Sequence, residues 1–122
     1  MSYRSRKTQA IINLSALKAN YNKMANLAPQ SKTIAVIKAN AYGHGAIEIA
    51  KSLHSIVPAF AVAFIDEALV LRNAGITLPI LILEGPLDKE DFALAKQHGF
   101  WLMLHNREQM SWLTQQTSYK EK

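Results

Sequence analysis

Hydrophobic residues along this chain follow two patterns that take turns. Between about Thr33 and Gln116, a short unbroken apolar run gives way to apolar residues at every third or fourth position, and the alternation occurs four times. The runs are Ile34-Ala35-Val36-Ile37, Ala59–Phe64, Pro79-Ile80-Leu81-Ile82-Leu83 and Phe100-Trp101-Leu102-Met103-Leu104. Runs of this length predict buried strands, and Pro79 takes a first position, where a missing N–H does least harm. The stretches between predict helices. One runs from about Gly45 to His54, with Ala46, Ile49, Ala50 and Leu53 on one face. A second covers Glu67–Ala74, capped by Asp66 and stopped at Gly75. The next is entered through Asp88, with Asp91 three residues on and Leu87 set to staple Phe92, and it stops at Gly99. The last is entered through Asn106 and Gln109 and carries Met110 and Leu113, after which the composition from Gln115 onward turns polar and is expected to fray.

A leading segment, residues 1–31, precedes the repeat. Ala10–Leu14 is expected as a short strand and Ser15 as the N-cap of a helix whose stripe is Leu14, Leu17, Tyr21, Met24 and Ala28, closed by Pro29. Residues 32–122 then make four β/α units. Strands alternating with helices predict an α/β fold with a parallel sheet, and strands apolar at successive positions predict cover on both faces. Two architectures fit: an open doubly wound sheet, or the N-terminal portion, about half, of a (β/α)8 TIM-like barrel, a whole one needing about 250 residues. In either, ligands gather at the C-terminal ends of the strands. Lys38, Ile65-Asp66, Glu84 and His105 should therefore ring one mouth.

Composition narrows the chemistry. The 122 residues are 49% apolar and 19% charged, which suits one globular domain. There is no cysteine, so disulfides and zinc–thiolate sites are excluded. The four histidines show no i, i+4 pair and no carboxylate at ligand spacing, so no metal site is proposed. No run approaches the ~20 apolar residues of a membrane span, and the basic start lacks the apolar stretch of a secretory signal. A cytoplasmic protein with no membrane partner is the expectation. The net charge of +5 draws on chain ends, at Arg4, Arg6, Lys7 and Lys120 among others, and the remaining basic residues are scattered. No basic stripe interleaved with aromatics exists, so no nucleic-acid partner is expected.

Lys38 is the residue that this pattern leaves conspicuous. An ammonium at the end of an apolar strand is costly to place unless it reaches solvent or does chemistry. Its chemical roles would be pairing with a phosphate, a Schiff base with a carbonyl, or proton transfer. Neither Gly-x-x-x-x-Gly-Lys nor Gly-x-Gly-x-x-Gly occurs, so no nucleotide fingerprint supports the first. Spacing alone leaves the choice even.

The nine residues Ile37-Lys38-Ala39-Asn40-Ala41-Tyr42-Gly43-His44-Gly45 resemble the pyridoxal-phosphate attachment motif of the alanine racemase family at every position. Ile11–Leu17, Asp66-Glu67-Ala68 with Leu71–Ile76, and Ile80–Gly85 are similar to that family in order and spacing. The resemblance implies the barrel, pyridoxal 5'-phosphate as cofactor and alanine as substrate, its L and D forms interconverted to supply D-alanine for peptidoglycan. It implies that Lys38 holds the cofactor as a Schiff base and serves as one of two bases. Tyr42 would reach the cofactor phosphate and Leu83 would lie near its ring. Asn40, Gly43 and Gly45 would shape the loop, and His44 would serve it structurally. The family acts as a homodimer, and its second base is a tyrosine in a C-terminal β-domain that this chain does not contain. The expectation is a piece of a longer enzyme, inactive alone; two copies completing one another's sheet is the other arrangement considered. A non-catalytic carrier of the cofactor and a remnant that uses the motif only to fold are the alternative functions.

Overall fold

Four parallel strands carry the computed structural model, which describes residues 6–115. They are β1 (Ala35–Val36), β2 (Phe60–Val62), β3 (Ile80–Ile82) and β4 (Phe100–Leu102), hydrogen-bonded in that order. The register aligns Val36 with Ala61, Ala61 with Leu81, and Leu81 with Trp101. Helices α3 (Ala46–Leu53), α4 (Ile65–Asn73) and α5 (Glu90–His98) occupy the connections, α1 (Leu14–Leu27) precedes β1, α6 (Arg107–Gln115) follows β4, and a short helical segment α2 (Lys38–Tyr42) comes soon after β1. The expected strands are longer by two or three residues, because the ladder ends where the chain turns toward the next helix. Arg4, Lys120 and the fraying expected after Gln115 lie outside the described residues.

Strand order in sequence with right-handed crossovers puts every connecting helix on one face of the sheet. The side chains agree. Phe60, Val62, Ile80, Ile82 and Phe100 form one core with Ile49, Leu53, Ala68, Leu71 and Ala95 from the helices. The opposite row is open at its ends, with Val36 41% and Trp101 49% exposed, while Ala61 between them is buried. Of the two ways to cover both faces, the structure takes the second: helices cover one face, and the apolar residues of the other belong to a barrel interior. This removes the doubly wound alternative. What remains is the N-terminal half of a (β/α)8 barrel.

Helix entrances were mostly legible, with shifts. Asn13, not Ser15, caps α1, its Oδ1 accepting from the Ala16 N–H at 2.9 Å. Ala10–Asn13 runs extended without a strand partner, and Ile11 is 85% exposed. α4 starts at Ile65, one residue before the expected Asp66 cap, which lets Ile65 bury in the core. Glu67 reaches back instead to the Ala63 N–H. At α5, Asp88 accepts from Asp91 N–H at 3.2 Å while Asp91 accepts from Leu87 N–H at 2.7 Å, a reciprocal cap. The staple does not form, since Leu87 stays 64% exposed while Phe92 is buried. α1 buries no residue fully. Leu17 and Tyr21 lean on the core, Met24 does not, and the Tyr21 hydroxyl donates to the Thr33 carbonyl at 2.7 Å.

At the N-terminal side of the sheet, Arg72 ties three segments together. Its guanidinium donates to the carbonyls of Ile76, Leu78 and His98 at 2.7–3.0 Å and lies over the Phe100 ring. Burial pushes its pKa below the ordinary arginine value.

Candidate functional site at the strand ends

The sheet hands its C-terminal ends to loops of unusual backbone. The Ile37 N–H still pairs with β2, donating to Ala61, while its ψ of 29° already leaves the extended form; the residue is 3% exposed. Immediately after Lys38 the chain reverses hand. Ala39, Asn40, Ala41 and Tyr42 all have φ between 51° and 54°, four successive left-handed residues of which none is glycine. Each costs about 1–2 kcal/mol relative to the right-handed form, so the turn exists only because its surroundings hold it. Ala41 donates to Ile37 and is itself buried; Gly43 donates to Ala39, and His44 to Ala41. The His44 Nδ1 lies 2.9 Å from the Ala41 carbonyl, so that nitrogen carries the proton and the ring braces the turn. This is the loop role expected of His44.

Lys38 stands half-buried where β1 ends. Tyr42 follows four residues on, 60% exposed. Among the described residues neither the Lys38 ammonium nor the Tyr42 hydroxyl has a hydrogen-bond or ion-pair partner. Both polar groups are held by a rigid turn and left available. The Leu83 N–H donates to Val62 and the Glu84 N–H to Ala63, which places Leu83 level with Ala63. The β1 ladder stops short of Lys38: the Ile37 N–H still donates to Ala61, but the Ile37 carbonyl accepts from Ala41 and the Ala63 N–H donates to Glu67. Lys38 therefore leaves the sheet on the β1 side of Ala63, and Leu83 lies on its β3 side.

The loops after β3 and β4 are locked to each other. Gly85 has φ +69°, and a Cβ there would land on the Met103 carbonyl oxygen. Gln109 is 5% exposed; its Nε2 donates to the Pro86 carbonyl at 3.0 Å and its Oε1 accepts from His105 N–H at 2.6 Å. The His105 Nε2 approaches the Leu83 carbonyl at 2.6 Å. The sequence singled out Gln109 only as a helix entrance. Its burial beneath two loops carries no sequence signal, because exposed entrance glutamines have the same spacing. Of the expected mouth residues, Lys38, Glu84 and His105 do sit at strand ends, whereas Ile65 turns into the core as the first residue of α4, with Asp66 next to it in that helix.

A cavity of about 780 Å³ opens beside β1, lined by Ile11, Leu17, Tyr21, Val36 and Tyr42 among others. It lies between α1 and the free edge of the sheet, and Lys38 is not among its lining residues. Tyr42 thus stands between the mouth and this groove. Among the described residues no helix is long and apolar enough to cross a membrane, and no three His, Asp or Glu side chains cluster to hold a metal.

Residues 12–122 match the family model described as alanine racemase, N-terminal domain. An alanine racemase of Alteromonas mediterranea is 47% identical over 109 residues, which are 89% of this chain and 30% of that protein. The biosynthetic alanine racemase of Pseudomonas aeruginosa superposes with a TM-score of 0.80 at 39% identity, over 85% of this chain and 29% of that one. The alanine racemase of Bartonella henselae, solved with covalently bound pyridoxal phosphate, gives 0.74 at 35% identity over 85% of this chain and 30% of that one. The chain spans less than a third of the length of the relatives it matches.

Proposed function

This chain belongs to the alanine racemase N-terminal domain family, and from that premise we propose that it supplies the cofactor-lysine half of a pyridoxal-phosphate amino-acid racemase acting on alanine. The observation that carries the proposal is the unpartnered Lys38 amine at the end of β1, presented by a turn of four left-handed residues. A fold does not build such a turn for a lysine that merely escapes into water.

The residues present fit the cofactor. Lys38 offers a free amine for condensation with its aldehyde. Leu83, level with Ala63 on the neighbouring strand, would supply an apolar face to the cofactor ring. The Tyr42 hydroxyl, exposed and unpaired, is a donor for a phosphate oxygen. When bound, pyridoxal phosphate acts as an electron sink that stabilises a carbanion at the amino-acid α-carbon. Lys38 contributes attachment first and then, with its amine released, a proton acceptor and donor on one side of that carbon. The turn fixes the main chain that follows Lys38, and the locked loops around Gln109 keep the opposite rim in place.

Inverting an α-carbon needs an acid–base group on each of its two faces. Lys38 serves one. The chain alone is therefore expected to take up the cofactor and yet to racemise L-alanine no faster than buffer containing free cofactor. Mixing the 122-residue chain with pyridoxal phosphate, reducing with borohydride and mapping the adduct by peptide mass spectrometry tests the binding; D-alanine formation, measured by chiral chromatography, tests the rate. Label scattered over surface lysines sinks the reading in favour of a folding remnant. Racemisation that depends on Lys38 sinks the half-site in favour of a complete one. A cytoplasmic location, a homodimer of the family-length protein and D-alanine supply for the cell wall belong to the same reading.

Tyr42→Phe separates the phosphate contact from general packing. Losing one hydrogen bond to a charged group should weaken trapping of pyridoxal phosphate at Lys38 about tenfold or more. Trapping of pyridoxal, which has no phosphate, should be equal in both proteins. A loss common to both aldehydes would mean that Tyr42 only packs.

A further inference from the structure

The structure assigns Asn40 a positioning role: it couples the core-anchored helix α3 to the left-handed turn and so fixes where Lys38 and Tyr42 point. This rests on the reading of Lys38 as the cofactor lysine, and it concerns a residue that touches no ligand. The argument begins at the start of α3. Its N-cap is Gly45, at φ 94° and ψ 91°, which has no side chain to satisfy the first amides of the helix. The Asn40 Oδ1 takes over, accepting from the Ala46 N–H at 2.9 Å from six residues upstream. The backbone carbonyl of Asn40 accepts from Gly43 at 3.2 Å and from Gly45 at 3.0 Å. One residue therefore receives three amides, two from the loop and one from the helix.

α3 is fixed by Ile49, Ala50 and Leu53, all buried in the core. The alanines on either side of Asn40 offer no side-chain bond of their own. Lys38 and Tyr42 lie two residues to each side of it, and neither is tied to anything else among the described residues. The Asn40 side chain is thus the polar link from the fixed helix back to the turn. Asparagine also suits the site because it enters the left-handed region more readily than most residues. A lysine that must meet an aldehyde in one orientation gains from that link.

The test uses three variants of the 122-residue chain. Asn40→Gly keeps the left-handed freedom and loses Oδ1; Asn40→Gln moves the acceptor outward by a methylene; Asn40→Asp keeps Oδ1 in place. Trapped pyridoxal phosphate at Lys38 is titrated against cofactor concentration, well below each thermal midpoint, and amide hydrogen exchange is followed over residues 38–46. Asn40→Gly and Asn40→Gln should require about tenfold more cofactor for half-trapping, with faster exchange at Gly43, Gly45 and Ala46. Asn40→Asp should return to within about threefold of the parent, since its acceptor is unchanged. A merely structural asparagine would lower the thermal midpoint and leave half-trapping where it was, and that result, or failure of a folded Asn40→Asp to rescue, overturns the inference. If the parent itself takes no label on Lys38, the cofactor reading fails on its own. Exchange then decides: unchanged protection across residues 38–46 in Asn40→Gly overturns the positioning role, and loosened protection upholds it.

Discussion

Lys38→Ala should take up no borohydride-trapped cofactor at position 38 and should lose the corresponding absorbance, a fall of about a hundredfold or more in specific labelling, because the amine that forms the bond is gone. Lys38→Arg makes the sharper comparison. It keeps a cation at the end of β1, yet a guanidinium stays protonated and does not condense with an aldehyde. If charge attraction for the phosphate were the whole effect, Lys38→Arg would retain reversible binding close to that of the parent. Both variants should fold. The Lys38 side chain makes no hydrogen bond or ion pair among the described residues, and substitutions of such groups usually fall within about 0.5 kcal/mol. Other lysines, such as Lys18, Lys32, Lys51 and Lys96, are exposed and set the background. Label that persists undiminished on those residues in Lys38→Ala, at parental stoichiometry, would remove the case for a cofactor site.

The difference between legible and hidden features has a physical cause. Apolar periodicity read the four strands and the long helices in order, because each must bury a face, and that need is written at every third, fourth or successive position; the strand expected at Ala10–Leu14 does not form, and α2 gave no such signal. Periodicity left the second face of the sheet open between two kinds of cover. An apolar residue such as Trp101 looks the same whether a helix or a barrel interior is to cover it, and only strand order separates the two. Lys38 was visible as a cost and became specific only through the nine-residue motif. The reversed hand of residues 39–42 was invisible, since two of the four are alanines with no preference for that conformation. Equally hidden was how the mouth is braced. Asn40 and Gln109 each send an amide side chain to a neighbouring segment, one to the start of α3 and the other to the loop after β3. Spacing suggests a cap; it does not say which backbone the cap will find.

Gly85→Ala should be the most damaging of the single-methyl substitutions at the mouth, destabilising the chain by about 3 kcal/mol or more. Two effects add there. The residue sits at φ +69°, where a Cβ is unfavourable, and the new methyl would occupy the place of the Met103 carbonyl oxygen, a backbone atom that cannot rotate aside. Relief requires separating the loop after β3 from the end of β4. That movement would also displace the Gln109 Nε2, which lies 3.1 Å from the same point and holds the Pro86 carbonyl. Gly43 and Gly45 provide the control. Both have positive φ, yet a Cβ on either meets nothing within 4 Å, so Gly43→Ala and Gly45→Ala should cost only the conformational preference, about 1–2 kcal/mol each. Urea unfolding followed by circular dichroism should therefore place the Gly85→Ala midpoint well below the other two, with a thermal midpoint lower than the parent's by on the order of 10 °C. Equal losses at the three glycines would mean that backbone conformation alone governs them and that the two loops are not in fact wedged against each other. The consequence reaches the site through Leu83, two residues before Gly85. If the rim moves, Leu83 moves with it, and cofactor trapping at an intact Lys38 should weaken in Gly85→Ala even under conditions where that variant remains folded.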